Sequence, residues 1–191
     1  DLESGDVVYI DTGTYQGLNP WRISQADSAG DLGVPPVVFQ GSTNSLWGGT
    51  VLDRAANTIG IQADYAVGLR LRNITISNTV GSAVFFNDCY DVGAEWVAVG
   101  AGNVAFRLSG GSQMRVEHCL ALNANQGVLV ENWTRATNTV FPVIEHCVFW
   151  ETAGSTIEIS GQNKATVRHS ILSSGAGQNY VYEMGNTAEL I

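Results

Sequence analysis

Three histidines recur in one setting, Glu117-His118-Cys119, Glu145-His146-Cys147 and Arg168-His169-Ser170, and the 191-residue chain has no others. Imidazole carries protons near neutral pH or ligates transition metals. Glu117 and Glu145 are its sequence neighbours, but adjacent residues on a strand point to opposite faces, so a compact His/Glu shell forms only where the chain bends. Without a bend the expectation is a structural ladder, each ring bonded to backbone. Arg107 and Glu158 are the candidate catalytic residues of the outward face, and uronate elimination needs an Arg or Lys base together with calcium or another group that neutralises the substrate carboxylate. Phe85 and Trp133 offer rings for sugar stacking, and with Arg107 as a donor they form the candidate carbohydrate site. Asp64, Asp88 and Asp91, with Asn87 and Glu131, gather near one set of turns and carry the hard oxygen atoms that calcium takes. Turn carboxylates of this kind also serve in local Asx turns with no ion. Cys89, Cys119 and Cys147 are odd in number and lack CxxC or Cys/His spacing, so they read as buried thiols and not as a disulfide framework or zinc site.

The elements that must position these residues are visible as a repeat. Short apolar strands begin at Gly60, Ala83, Ala105, Gly127 and Thr156, which lie 23, 22, 22 and 29 residues apart. A second series runs between them: Leu71–Ile76, Ala94–Val99, Val116–Ala121, Ile144–Phe149 and Val167–Leu172. Small or polar bends follow, such as Ser77-Asn78, Gly100-Ala101-Gly102 and Asn123-Ala124-Asn125, so two strands and two turns fill each period. Alternation places Ile61/Ala63, Val84/Phe86, Phe106/Leu108, Val128/Val130 and Ile157/Ile159 on an inner face. Gln62, Phe85, Arg107, Leu129 and Glu158 then form an outward column. One coil cannot bury its apolar face alone, but coils stacked about 4.8 Å apart share a continuous core. In such a stack Arg107 and Glu158 lie two rungs apart, roughly 9 to 10 Å. His118, His146 and His169 share a column with Asn73 and Trp96, and Cys119 shares one with Cys147.

The pattern therefore predicts an all-β chain, a single-stranded right-handed parallel β-helix with about 22–29 residues per coil, forming one domain over residues 1–191. Leucine-rich repeats would show LxxLxLxxN, helical repeats a 3.6-residue period, and a β-sandwich no return of the same pattern each coil. Two segments break the period: the polar stretch Gln16 to Pro36, and Trp133 to Pro142, which lengthens one coil. Such insertions project as loops and are natural borders for a binding groove. A formal charge of −9, with Lys164 the single lysine, disfavours nucleic acid and anionic lipid. Apolar runs are too short to insert in a membrane as a helix. The chain opens at Asp1 without Met and closes on Leu190-Ile191, as a segment of a longer protein would.

The opening Gly5-Asp6-Val7-Val8-Tyr9-Ile10-Asp11-Thr12-Gly13-Thr14-Tyr15 resembles the GD-x-I-x-V-x-x-GTY start of the pectate-lyase-like right-handed β-helix superfamily. Val37-Val38-Phe39-Gln40-Gly41 and Thr50-Val51-Leu52-Asp53-Arg54 resemble its first rungs, and the resemblance extends over nearly the whole chain. It implies a β-helix repeat protein of the bacterial surface or secreted type. The superfamily holds polysaccharide lyases, hydrolases, adhesins and structural arrays, so fold alone does not select an activity. The calcium-binding aspartates and basic set of pectate lyases, and the Asn-Thr-Asp, Asp-Asp, His-Gly and Arg-Ile-Lys set of polygalacturonases, are absent. The expected function is an extracellular structural or interaction module whose partner is a polysaccharide or another cell-surface molecule. The alternative is a polysaccharide lyase or glycoside hydrolase.

Overall fold

Backbone amides and carbonyls must all find partners, and a strand whose neighbour in space is the next repeat finds them by parallel pairing. The computed structural model shows that pairing throughout. It describes residues 2–17, 19–43, 49–132, 140–160 and 164–175, together with the backbone of Val181–Met184 and Glu189–Leu190. The chain is all-β, and among the described residues its one helical element is the 3₁₀ turn Gln25–Asp27. Among the described residues no helix is long and apolar enough to cross a membrane.

Two parallel sheets make up the fold. The first contains Val7–Tyr9, Val37–Gln40, Val67–Arg72, Tyr90–Glu95, Arg115–Glu117, Val143–Glu145, Thr166–Arg168 and Glu189–Leu190 in spatial order. The second is built on Gly13–Gln16 and the long strands Thr50–Asp64, Ile74–Asn87, Ala98–Ser109 and Leu120–Glu131, continuing through Val148–Thr152 and Ile171–Ser174. From Thr50 to Glu131 the chain alternates between the sheets, so each strand pairs with its counterpart one repeat away.

Register realises the inward columns. Ile61, Val84, Phe106, Val128 and Ile157 pair in succession, as do Ala63, Phe86, Leu108, Val130 and Ile159, and none is more than 1% exposed. From the first sheet Leu71, Ala94, Val116, Ile144 and Val167 face them. The result is one cluster of buried side chains from Ile23 to Val167, in which Phe106 and Phe149 meet edge to face at 6.4 Å. Each large apolar side chain so buried contributes about 1.5–3 kcal/mol.

Turning differs from the expected two turns per period. A corner leading into the first sheet is made by Tyr65, Asp88, Gly110 and Asn132, and a corner leading out of it by Asn73, Trp96, His118, His146 and His169, all with positive φ. The expected bend after the second series is a kink inside a continuous strand. Asn78, Ala101 and Asn123 take φ of 55°, 62° and 56° within Ile74–Asn87, Ala98–Ser109 and Leu120–Glu131. Between Ala98–Ser109 and Leu120–Glu131 pairing carries on across it, Leu122 to Gly100 and Ala124 to Gly102, whereas the register of Ile74–Asn87 shifts there against both of its neighbours.

The Gln16–Pro36 stretch also departs from a simple polar loop. Trp21–Ile23 pairs with Ile61–Ala63 and extends the second sheet, with Ile23 buried and Arg22 exposed. Arg54, 1% exposed, ties the stretch down by donating to the Asn19 carbonyl.

Candidate functional site

Strand register sets Arg22, Gln62, Phe85, Arg107, Leu129 and Glu158 in one outward row of the second sheet, with Asp64, Asn87, Ser109 and Glu131 in the next. The expected column is therefore present, and its polar groups are engaged. The Arg107 guanidinium bonds Glu131 Oε1 through Nε at 2.7 Å and through its terminal nitrogen at 2.6 Å, and lies 4.7 Å from the centre of the Phe85 ring. Both contacts occupy the guanidinium, and an arginine side chain, protonated at all ordinary pH, is a poor base. Glu158 accepts from Gln126 Nε2, and Leu129 separates its rung from that of Arg107. The two candidate catalytic residues thus occupy one row without meeting.

The calcium candidates are not gathered. Asp64 accepts from Gln62 Nε2 and Asn87 Nδ2 at 2.9–3.0 Å. Asp88 is at the corner entering the first sheet, its carboxylate packed over Gly110. Asp91 is bound to Arg70 at 2.6 Å. Trp133, together with Trp47 and Tyr180, lies outside the described residues.

The other face is the outward row of the first sheet, where Arg72, Glu95, Glu117, Glu145 and Arg168 pair in succession. Ion pairs run along it: Arg72 to Glu95 at 2.7 Å, Arg70 to Glu95 at 3.3 Å, Arg115 to Glu117 at 3.3 Å and Arg168 to Glu145 at 2.6 Å. Sequence reasoning missed this network, since it depends on a register that repeat spacing alone leaves open.

Beside that row stands the histidine corner. Trp96 stacks on His118 at 4.4 Å, His118 on His146 at 4.9 Å and His146 on His169 at 5.0 Å, with planes 12–14° from parallel. Stacked rings cover one another's faces and present edges to solvent, so the covered faces offer no platform for a sugar. The rings do not bond to backbone as the sequence predicts. The rung-to-rung bonds at this corner come from the backbone amides, His118 N–H to the Glu145 carbonyl at 3.0 Å among them. His146 Nδ1 and His169 Nδ1 instead face Glu145 Oε1, at 3.6 and 3.4 Å. The left-handed residue supplies the bend that strand alternation lacks, and it turns Glu145 and His146 toward the same side. The Glu145 carboxyl is held below its ordinary value chiefly by the hydrogen bond from Arg168, with His169 adding to it. Among the described residues this is the group of three whose donor atoms, all within 4.8 Å of one another, could hold a metal ion.

The cysteines are free and buried. Burial pushes the Cys89 thiol up to about 12 and raises Cys119 well above its ordinary value. Cys119 Sγ donates to the Ala94 carbonyl and Cys147 Sγ to the Val116 carbonyl, both at 3.3 Å; Cys89 and Cys119 are therefore packed thiols away from the reactive range, while the hydrogen bond with Cys119 lowers Cys147.

No family model, curated protein or solved structure matches the chain. Its function has to be argued from the two outward faces.

Proposed function

We propose that the chain is a single-stranded right-handed parallel β-helix of the pectate-lyase-like kind, acting at the cell surface or after secretion as an interaction module for an extended, neutral polysaccharide. The alternation between two parallel sheets supports the winding, and parallel crossovers are right-handed in about 98% of cases.

One observation carries the functional reading. On the outward face of the second sheet, planar amide, carboxylate and guanidinium groups recur on successive rungs and are fixed by one another: Gln62 with Asp64, Asp64 with Asn87, and Arg107 with Glu131. Planar polar groups already held in place bind hydroxyls at a low ordering cost, and repetition along the rungs suits a polymer. The charge of −9 favours a neutral chain over a polyuronate. A lyase reading is disfavoured by the engagement of Arg107 with Glu131 and Phe85.

Calorimetric titration with neutral and uronic oligosaccharides tests this. Binding of a neutral class, weakened about tenfold or more in Arg107→Ala, is the expected result. Heat from none of them would remove the binding part of the reading, and rising ultraviolet absorbance with a uronate polymer would replace it with lyase chemistry.

A further inference from the structure

The histidine corner plays no part in that reading. It lies beside the outward row of the first sheet and carries an independent inference. We infer that Glu145, His146 and His169 form a binding site for a divalent transition-metal ion of the zinc class, with Glu145 Oε1 and the two Nδ1 atoms as ligands.

Three observations support it. The first is spacing. An ion with bonds of about 2.0–2.1 Å in tetrahedral geometry sets its ligands roughly 3.3 Å apart. Glu145 Oε1 already stands 3.4 Å from His169 Nδ1 and 3.6 Å from His146 Nδ1. The spacing between the two nitrogens has to contract from as much as 4.8 Å. Because the rings are nearly parallel and imidazole lone pairs lie in the ring plane, one ring has to turn toward the other. The side chains of His146 and His169 are 47% and 66% exposed, which leaves them room to do so.

The second is the support behind the carboxylate. Arg168 occupies Oε2 at 2.6 Å and leaves Oε1 directed at the rings. A carboxylate ligand fixed through its other oxygen is the kind of outer support that orients metal ligands.

The third is the choice of residue. Left-handed backbone demands no imidazole, since Tyr65, Asp88, Gly110 and Asn132 satisfy it at the other corner. Histidine on three consecutive rungs therefore exceeds what the turn requires. Two imidazoles with one carboxylate select zinc, nickel or copper over calcium or magnesium, and the remaining coordination positions face solvent.

The experiment titrates the full chain with Zn²⁺ in a calorimeter and with Co²⁺ in visible absorption. One ion per chain is expected. Glu145→Gln and His169→Asn should each weaken Zn²⁺ binding at least tenfold, and Asn is a residue that tolerates the left-handed backbone. His118→Asn and Cys147→Ser should stay within about threefold of the parent, since neither side chain is a ligand in the inferred site. Circular dichroism confirms that each variant is folded. No binding of either ion would overturn the inference. So would an equal loss in His118→Asn, which would assign binding to the stack as a whole, or loss in Cys147→Ser, which would assign it to the thiols.

Discussion

At the corner leaving the first sheet, Asn73, Trp96, His118, His146 and His169 take φ between 50° and 57°; at the corner entering it, Tyr65, Asp88, Gly110 and Asn132 take φ between 48° and 68°. The backbone bonding is the same. Tyr65, Asp88 and Gly110 at one corner and Asn73, Trp96, His118 and His146 at the other donate their amides to a carbonyl of the neighbouring repeat, as Trp96 does to Glu117 at 3.1 Å and Asp88 to Ser109 at 2.7 Å. The side chains diverge. At the entering corner Asp88 lies over Gly110 while Tyr65 and Asn132 are exposed singly, whereas at the leaving corner Trp96 and the three histidines form a continuous exposed stack, two of whose rings share a carboxylate. A single backbone requirement, met at both corners, leaves the entering one tightly packed around Gly110 and Gly111 and gives the other a ring stack beside a carboxylate.

The sharpest way to break that contrast is to add one methyl group at the packed corner. A Cβ on Gly111 would lie 2.0 Å from the Cys89 carbonyl oxygen and 2.7 Å from its amide nitrogen, with φ at +76°. Both obstacles are backbone, so no rotamer relieves them. Gly111→Ala should lose on the order of 3 kcal/mol or more in urea unfolding. A loss below about 1 kcal/mol would show that the entering corner is as adaptable as the leaving one.

The matching change at the open corner should be mild. His118→Asn keeps a residue that enters the left-handed region readily and gives up ring stacking with Trp96 and His146. A loss of about 1 kcal/mol or less is expected by the same denaturant titration. A loss comparable to Gly111→Ala would mean that the stack holds the corner together, and the distinction between the corners would fail.

Both corners bear on how far the amino-acid sequence could be read. The inward columns were legible because two periods coincide there: alternation picks Val84 and Phe86, and the coil repeat sets them over Phe106 and Leu108. The histidine column was legible for the same reason, since Glu-His-Cys occurs twice and Arg168-His169-Ser170 takes the same place in the next repeat. The convergence of Glu145 on His146 and His169 was not, because strand alternation separates neighbours and no glycine marks the bend. His, Trp and Asn adopt the left-handed backbone themselves, stabilised by amide bonds to the next rung that sequence does not display. The engagement of Arg107 was hidden for another reason. Its partner Glu131 belongs to the adjacent outward row, and only register brings the two together.

The finest test separates the carboxylate from the rings at the open corner. Arg168 is the largest cause of the lowered Glu145 carboxyl, followed by the hydrogen bond from His169. A carboxyl depressed in the folded state stabilises the fold fully above its unfolded value, and that contribution is lost as pH falls through the lower folded value. Unfolding followed from neutral pH to below about pH 4 should therefore show an acid loss in the parent that is smaller in Arg168→Ala. The effect should be the smallest of the three, because the group is near solvent and screened. Identical acid profiles for the two proteins would mean that Arg168 does not hold Oε2 in solution, and the open corner would then lack the fixed carboxylate that sets it apart from the packed one.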